Sequence, residues 1–174
     1  MIHVRIFLIS GFLLLSNPGL TQDQIKVIPT KPNSVYVELL GNSFILYNLA
    51  YDRIIYKKDR LGFTVFLGAQ YLPTGDNSWD EPITSITTGI NMIIGRTNYF
   101  ETGIGFTHIN LGISEFDIKY FIPVRIGVRY QKETGGLFYK AAITPLFRID
   151  KSFVQETGHP AVIPWLGVAF GYSF

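Results

Sequence analysis

Few residues of this chain could do chemistry. Apart from His3 there are two histidines, His108 and His159, and no cysteine. His108 is followed by Ser114 and Glu115, types that together can run acyl transfer or hydrolysis as base, nucleophile and orienting carboxylate. A general base works only within hydrogen-bond reach of its partner, and nearness in sequence does not supply that reach. No catalytic residue is therefore assigned, and the chain is not expected to be an enzyme. The stretch Pro73–Pro82 gathers Asp76, Asp80 and Glu81 without the ligand spacing of a calcium loop. Lack of cysteine removes disulfides, thiolate metal sites and lipid attachment at an N-terminal cysteine. With no helix expected, no glycine loop opens onto one to cradle phosphate. Neither a metal nor a cofactor is expected.

The remaining chemistry lies in isolated charges, whose positions depend on the elements that carry them. Downstream of the first stretch there is no run of about 20 apolar residues, so no transmembrane helix is expected. Apolar and polar residues alternate instead, with turn residues between segments. This period predicts strands at Val35–Gly41, Phe44–Tyr56, Leu61–Leu72, Ile83–Ile94, Tyr99–Ile109, Lys119–Gln131, Leu137–Phe147 and Val162–Phe174. Eight strands suit a closed antiparallel up-and-down barrel, and most approach the ~9–11 residues of a tilted membrane-crossing strand.

The sixth strand shows the pattern best. Tyr120, Ile122, Val124, Ile126, Val128 and Tyr130 share one face, opposed by Phe121, Pro123, Arg125, Gly127, Arg129 and Gln131. If the aliphatic face with aromatic ends points to lipid, parity turns Glu38, Asp52, Glu101, Arg125, Arg129 and Lys140 into the lumen. Gly62, Gly68, Gly89, Gly103, Gly105, Gly127, Gly167 and Gly171 turn inward as well, where glycine leaves room for large neighbours. Three acids and three bases removed from water must pair, so a neutralised, plugged lumen is expected. Arg53 falls on the lipid face near one end, able to snorkel to headgroups.

Bulk properties agree with that architecture. Charged residues make up 16% and aromatic residues 15%, against roughly 25% charged in ordinary soluble domains; mean hydropathy is +0.23. The net charge of +2 does not suggest a nucleic-acid partner, which would call for a clustered basic face. Met1–Arg5 carries one cation, Ile6–Leu15 is almost wholly apolar, and Asn17, Pro18 and Gly19 break the run. That reads as a secretory signal peptide over 1–22, cleaved near Thr21 or Gln22. Residues 23–33 read as a periplasmic lead-in and 34–174 as the barrel. The turns Lys57–Arg60, Arg96–Asn98 and Lys132–Gly136 are short, whereas Pro73–Pro82, Asn110–Ile118 and Arg148–Ala161 are long. Gly41–Asn42–Ser43 is short on the long-loop side. Short periplasmic turns and long outer loops would place both termini in the periplasm. Pro123, Pro145 and Pro164 fall inside predicted strands. Since proline cannot donate to a ladder, all three are expected at the outer rim, on consecutive strands.

Ala50–Arg53 (AYDR), Val124–Gln131 (VRIGVRYQ), Leu137–Phe147 (LFYKAAITPLF) and Pro164–Phe174 (PWLGVAFGYSF) resemble segments of short, uncharacterised Gram-negative outer-membrane barrel proteins. Phe174, with Tyr172 and Phe170 on the same parity, resembles the C-terminal signal read by the barrel-assembly machinery. Ala169 stands where that signal usually has glycine. The resemblance implies an outer-membrane address, contact with outer-membrane lipid and lipopolysaccharide, and assembly through the C-terminal strand. It implies no catalytic residues and names no extracellular partner. Three function classes follow: a structural or surface-interaction barrel, a narrow passive channel for small solutes, and a lipid-modifying enzyme. The first is expected.

Overall fold

A computed structural model of the protein describes residues 31–43, 47–73, 82–110, 120–149 and 162–174. The predicted leader, His159, Ser114 and Glu115 and most of the three long connections lie outside the described residues. Strand β1 spans Asn33–Leu40, and a 3-10 turn, Gly41–Ser43, follows it. Next come β2 (Tyr47–Lys58), β3 (Leu61–Leu72), β4 (Ile83–Gly95), β5 (Asn98–Asn110) and β6 (Tyr120–Gln131). The seventh stave is β7 (Gly136–Ile143) continued by β8 (Leu146–Arg148). The eighth is β9 (Val162–Ile163) continued by β10 (Leu166–Ser173).

Each stave pairs antiparallel with the next, and β1 pairs with β10, which closes the sheet into an eight-stave barrel. Beyond β10, Asn33 and Phe174 exchange both backbone bonds, at 3.1 and 2.9 Å, so the seam is bonded to the last residue. The end holding Asn33 and Phe174 is the near end; the 3-10 turn lies at the far end. Register fixes the tilt. A walk along paired residues from Leu39 runs through Val168, Ala141, Val128, Phe100, Ile94 and Leu61 to Lys58, whereas Leu39 itself faces Tyr47. Lys58 lies eleven residues beyond Tyr47, one of them taken up by the bulge between Ile54 and Tyr56. A stagger of ten over eight strands tilts the staves by about 40° at normal strand spacings.

Several expectations need correction. Lys58, Asn98, Asn110 and Gly136, assigned to connections, lie at strand ends. Asn33, placed in the lead-in, begins β1. Gly41, placed in the first strand, belongs to the 3-10 turn at φ +66°, and a Cβ there would meet the Glu38 carboxylate. Glycine supplies both the left-handed backbone and the clearance, and this turn folds into the barrel with Gly41, Asn42 and Ser43 all buried. Lys57, assigned to a turn, is inside β2. The seventh and eighth strands are not continuous, because each is interrupted at a proline.

The prolines stand at one level. Pro123 faces Leu146, and Leu146 faces Ile163, so by register Pro145 lies opposite Pro164 one step along. Both broken stretches keep single backbone bonds, Val124 N–H to Pro145 C=O at 3.0 Å and Thr144 N–H to Trp165 C=O at 2.7 Å. All three prolines lie within three residues of the far end of the described staves, on three consecutive staves.

Candidate functional site

Parity sorts the side chains into two unlike populations. Outward stand exposed apolar residues on every stave, among them Leu39, Leu67, Ile86, Ile104, Val128, Ile143 and Phe170. Inward stand buried polar and charged groups, with Glu38, Asp52, Glu101, Arg125 and Arg129 each at most 2% exposed and Lys140 4%. This inverts the arrangement of a water-soluble fold, in which charged residues are almost never buried without a partner.

All six predicted lumen charges meet in one network. Glu101 of β5 is its hub, accepting from Arg125 at 3.3 Å, Arg129 at 3.2 Å and Lys140 at 3.5 Å. Arg125 also pairs with Glu38 of β1, and Arg129 reaches across to Asp52 of β2 at 2.7 Å. Further hydrogen bonds surround these pairs, although Arg125 Nε, Asn91 Oδ1 and Gln131 Nε2 are buried without a partner among the described residues. Thr64 Oγ1 donates to Asp52 at 3.1 Å, and Asn91 Nδ2 donates to Thr64 at 3.2 Å. Arg129 Nε donates to Gln131 at 2.9 Å, and the Asn42 backbone N–H donates to Glu38 at 3.3 Å. Buried charges hold only when paired and hydrogen-bonded in this way.

Aromatic rings fill the space beside the charges, and sequence reasoning had not singled them out. Tyr36 and Phe138 stack at 5.1 Å. Lys140 Nζ lies 4.3 Å from the Tyr36 ring centroid and donates to the Tyr36 hydroxyl at 2.9 Å. Arg129 lies 4.8 Å from the Phe138 centroid. In these cation–π contacts the ring faces attract the buried cations. Phe66 occupies the floor left by two facing glycines, since a Cβ on Gly89 or on Gly105 would meet its ring. The signal for Tyr36, Phe66 and Phe138 was present in the sequence: each shares the inward parity of its strand.

The network lies between two apolar layers. Toward the far end, Ile109, Phe121 and Leu146 pack together with Ile163 and Trp165 against them. Toward the near end, Ile54, Ile93 and Tyr99 form a second cluster. Below that cluster Lys57 points inward and donates to Tyr99 Oη at 2.7 Å and Glu133 at 2.6 Å. The bulge between Ile54 and Tyr56 flips the parity of β2 and turns Lys57 in, so alternation counted from Asp52 misses it. Lys57→Met should lower stability by about 1 kcal/mol, measured as a shift of the urea midpoint; an unchanged midpoint would show that the Glu133 contact is fully solvated.

No protein family and no curated protein matches the chain. The outer membrane protein Ail of Yersinia pestis, solved as a backbone structure in a phospholipid bilayer nanodisc, is similar to it at a TM-score of 0.47. The two share 12% identity over 83% of this chain and 99% of Ail.

Of the other residues weighed, His108 is exposed on the outward face and meets Tyr120 edge-on at 5.0 Å. Arg53 is exposed on the outward face of β2 toward the near end, paired in register with Asn33 and Val65. Phe170, Tyr172 and Phe174 are exposed along the outward side of the closing seam.

Proposed function

We propose that this chain is a small outer-membrane β-barrel whose plugged, rigid body serves a structural or surface-interaction role without catalysis. The inversion of its two faces carries the reading. A closed barrel leaves no unpaired strand edge, which is the condition for crossing hydrocarbon with strands. Twelve residues at a tilt of about 40° rise roughly 30 Å, enough for a lipid-exposed band about 25 Å tall. Aromatics flank the aliphatic belt at both ends: Tyr71, Phe106, Tyr120 and Phe147 at the far end, and Phe100, Tyr139, Tyr172 and Phe174 toward the near end. Such girdles suit the two membrane interfaces.

Short turns at the near end and longer connections at the far end support periplasmic termini and surface-exposed loops. On this reading the outward face contacts outer-membrane lipid, the far rim meets lipopolysaccharide, and the C-terminal strand with Phe170, Tyr172 and Phe174 engages the barrel-assembly machinery. The layered lumen supports a plug over a solute path.

Unheated protein refolded in detergent should migrate as a compact band distinct from the boiled form and resist protease through the staves. Identical migration with protease sensitivity throughout would overturn the reading. Stepwise conductance in planar bilayers would replace the plug with a channel, and altered lipid A in a deletion strain would replace it with an enzyme.

A further inference from the structure

The near rim carries a run of cations that the lumen does not use. Lys31, Arg53, Lys58, Arg60, Arg96 and Lys132 are all exposed. Among the described residues none of them makes an ion pair. Backbone bonds and one close side-chain approach link their turns around the rim. Gly95 N–H donates to Arg60 C=O at 2.7 Å, which joins the β2–β3 turn to the β4–β5 turn. Gln131 N–H donates to Thr97 C=O at 2.9 Å, joining that turn to the β6–β7 turn. A Cβ on Gly135 would meet the Lys31 side chain, and Ile54 N–H donates to Pro32 C=O at 2.9 Å, which returns the ring to Arg53.

The acids at this end do not offset the ring. Only Asp59 and Glu133 lie on these turns, and Glu133 is engaged from inside the barrel by Lys57 at 2.6 Å. The sequence connecting the far ends has the opposite sign: residues 74–81, 111–119 and 150–161 hold seven acids against two lysines. Exposed cations thus predominate at the near rim, directly beneath an aromatic girdle.

We propose that this rim is a collar for anionic phospholipid headgroups, holding the near end in the phospholipid leaflet; this rests on the membrane-spanning reading above. Clustered lysine and arginine at a bilayer surface attract anionic lipid, while the same charges in water would gain little. Arg53 sits on the outward face just above the ring, so its stem can lie along the belt while its guanidinium reaches phosphate.

The test uses the mature barrel in phosphatidylcholine bilayers doped with spin-labelled phosphatidylglycerol or spin-labelled phosphatidylcholine. The boundary lipid should favour phosphatidylglycerol several-fold, and molar salt should remove the preference. Combining Arg60→Gln, Arg96→Gln and Lys132→Gln, all at exposed turn positions, should bring that several-fold preference close to parity. The heat-dependent gel shift should remain. An inserted, heat-modifiable barrel with no preference, or with one untouched by the triple variant, overturns the collar and leaves the membrane reading standing. Failure to insert into phosphatidylcholine at all removes both. A preference abolished by Arg53→Gln alone overturns the collar in favour of a single snorkelling arginine. Co-sedimentation with purified peptidoglycan without lipid preference assigns the rim to the cell-wall polymer and overturns it as well.

Discussion

Glu101→Gln is expected to destabilise the barrel by about 3–5 kcal/mol, the usual cost of stripping one partner from a buried ion network. The change is nearly isosteric, so packing against Gly127, its cross-strand neighbour, is kept. It removes the one carboxylate that Arg125, Arg129 and Lys140 share. Arg125, Arg129 and Lys140 would then face only Glu38 and Asp52. Arg125→Ala should cost the same range, since it leaves Glu38 buried without its cation. Adding Lys140→Met to Glu101→Gln restores the balance and should recover part of the loss, as coupled groups in one network are not additive. Urea titration of the folded band on unheated gels measures all four proteins. A midpoint unchanged by Glu101→Gln would mean that water reaches the network and that the lumen is not plugged.

Val128→Pro should have a larger effect although it touches none of these groups. Val128 faces outward, 61% exposed, and pairs with Phe100 on one side and Ala141 on the other. The substitution removes little packing, and what it breaks is the ladder. Proline deletes a donor, at about 3 kcal/mol or more in a regular element, and each carbonyl orphaned in hydrocarbon costs several kcal/mol further. No heat-modifiable species should form. Pro123→Ala, in the same strand but at the far-end level, should change stability by no more than about 1 kcal/mol. If Val128→Pro folds as well as Pro123→Ala, the ladder at Val128 lies in water and the belt is misplaced.

The staves and the occupants of the lumen were legible because alternation is a local property. Once one face of Tyr120–Gln131 is known to be apolar, Arg125 and Arg129 must be on the other. Which charges meet was not legible, because that depends on how far the sheet is sheared before it closes. Glu38 finds Arg125 three staves away around the seam, and Asp52 finds Arg129 four staves away. Lys57 escaped because a bulge changes the count by one, and no residue type around Ile54 and Tyr56 announces it. The breaks at Pro145 and Pro164 were foreseeable as lost donors. That the two prolines face each other, so that one gap serves both staves, depends on register between segments far apart in the chain.

Tilt has a consequence for what the ion network does while the barrel forms. At about 40°, twelve residues travel roughly 26 Å sideways on a circumference of roughly 50 Å. Each stave therefore winds about half a turn around the axis, and its two ends stand nearly opposite one another. The bonds from β6 to Glu38 and Asp52 act as spokes across that coil. Slipping the β1–β10 seam by two residues would keep every side chain on its proper face and most of the ladder intact. It would also carry Glu38 about 7 Å along the strand, out of reach of Arg125. The outward face cannot tell one such slip from another, since aliphatic residues against lipid are interchangeable. The spokes can, and so the buried charges specify how far the coil winds before it locks.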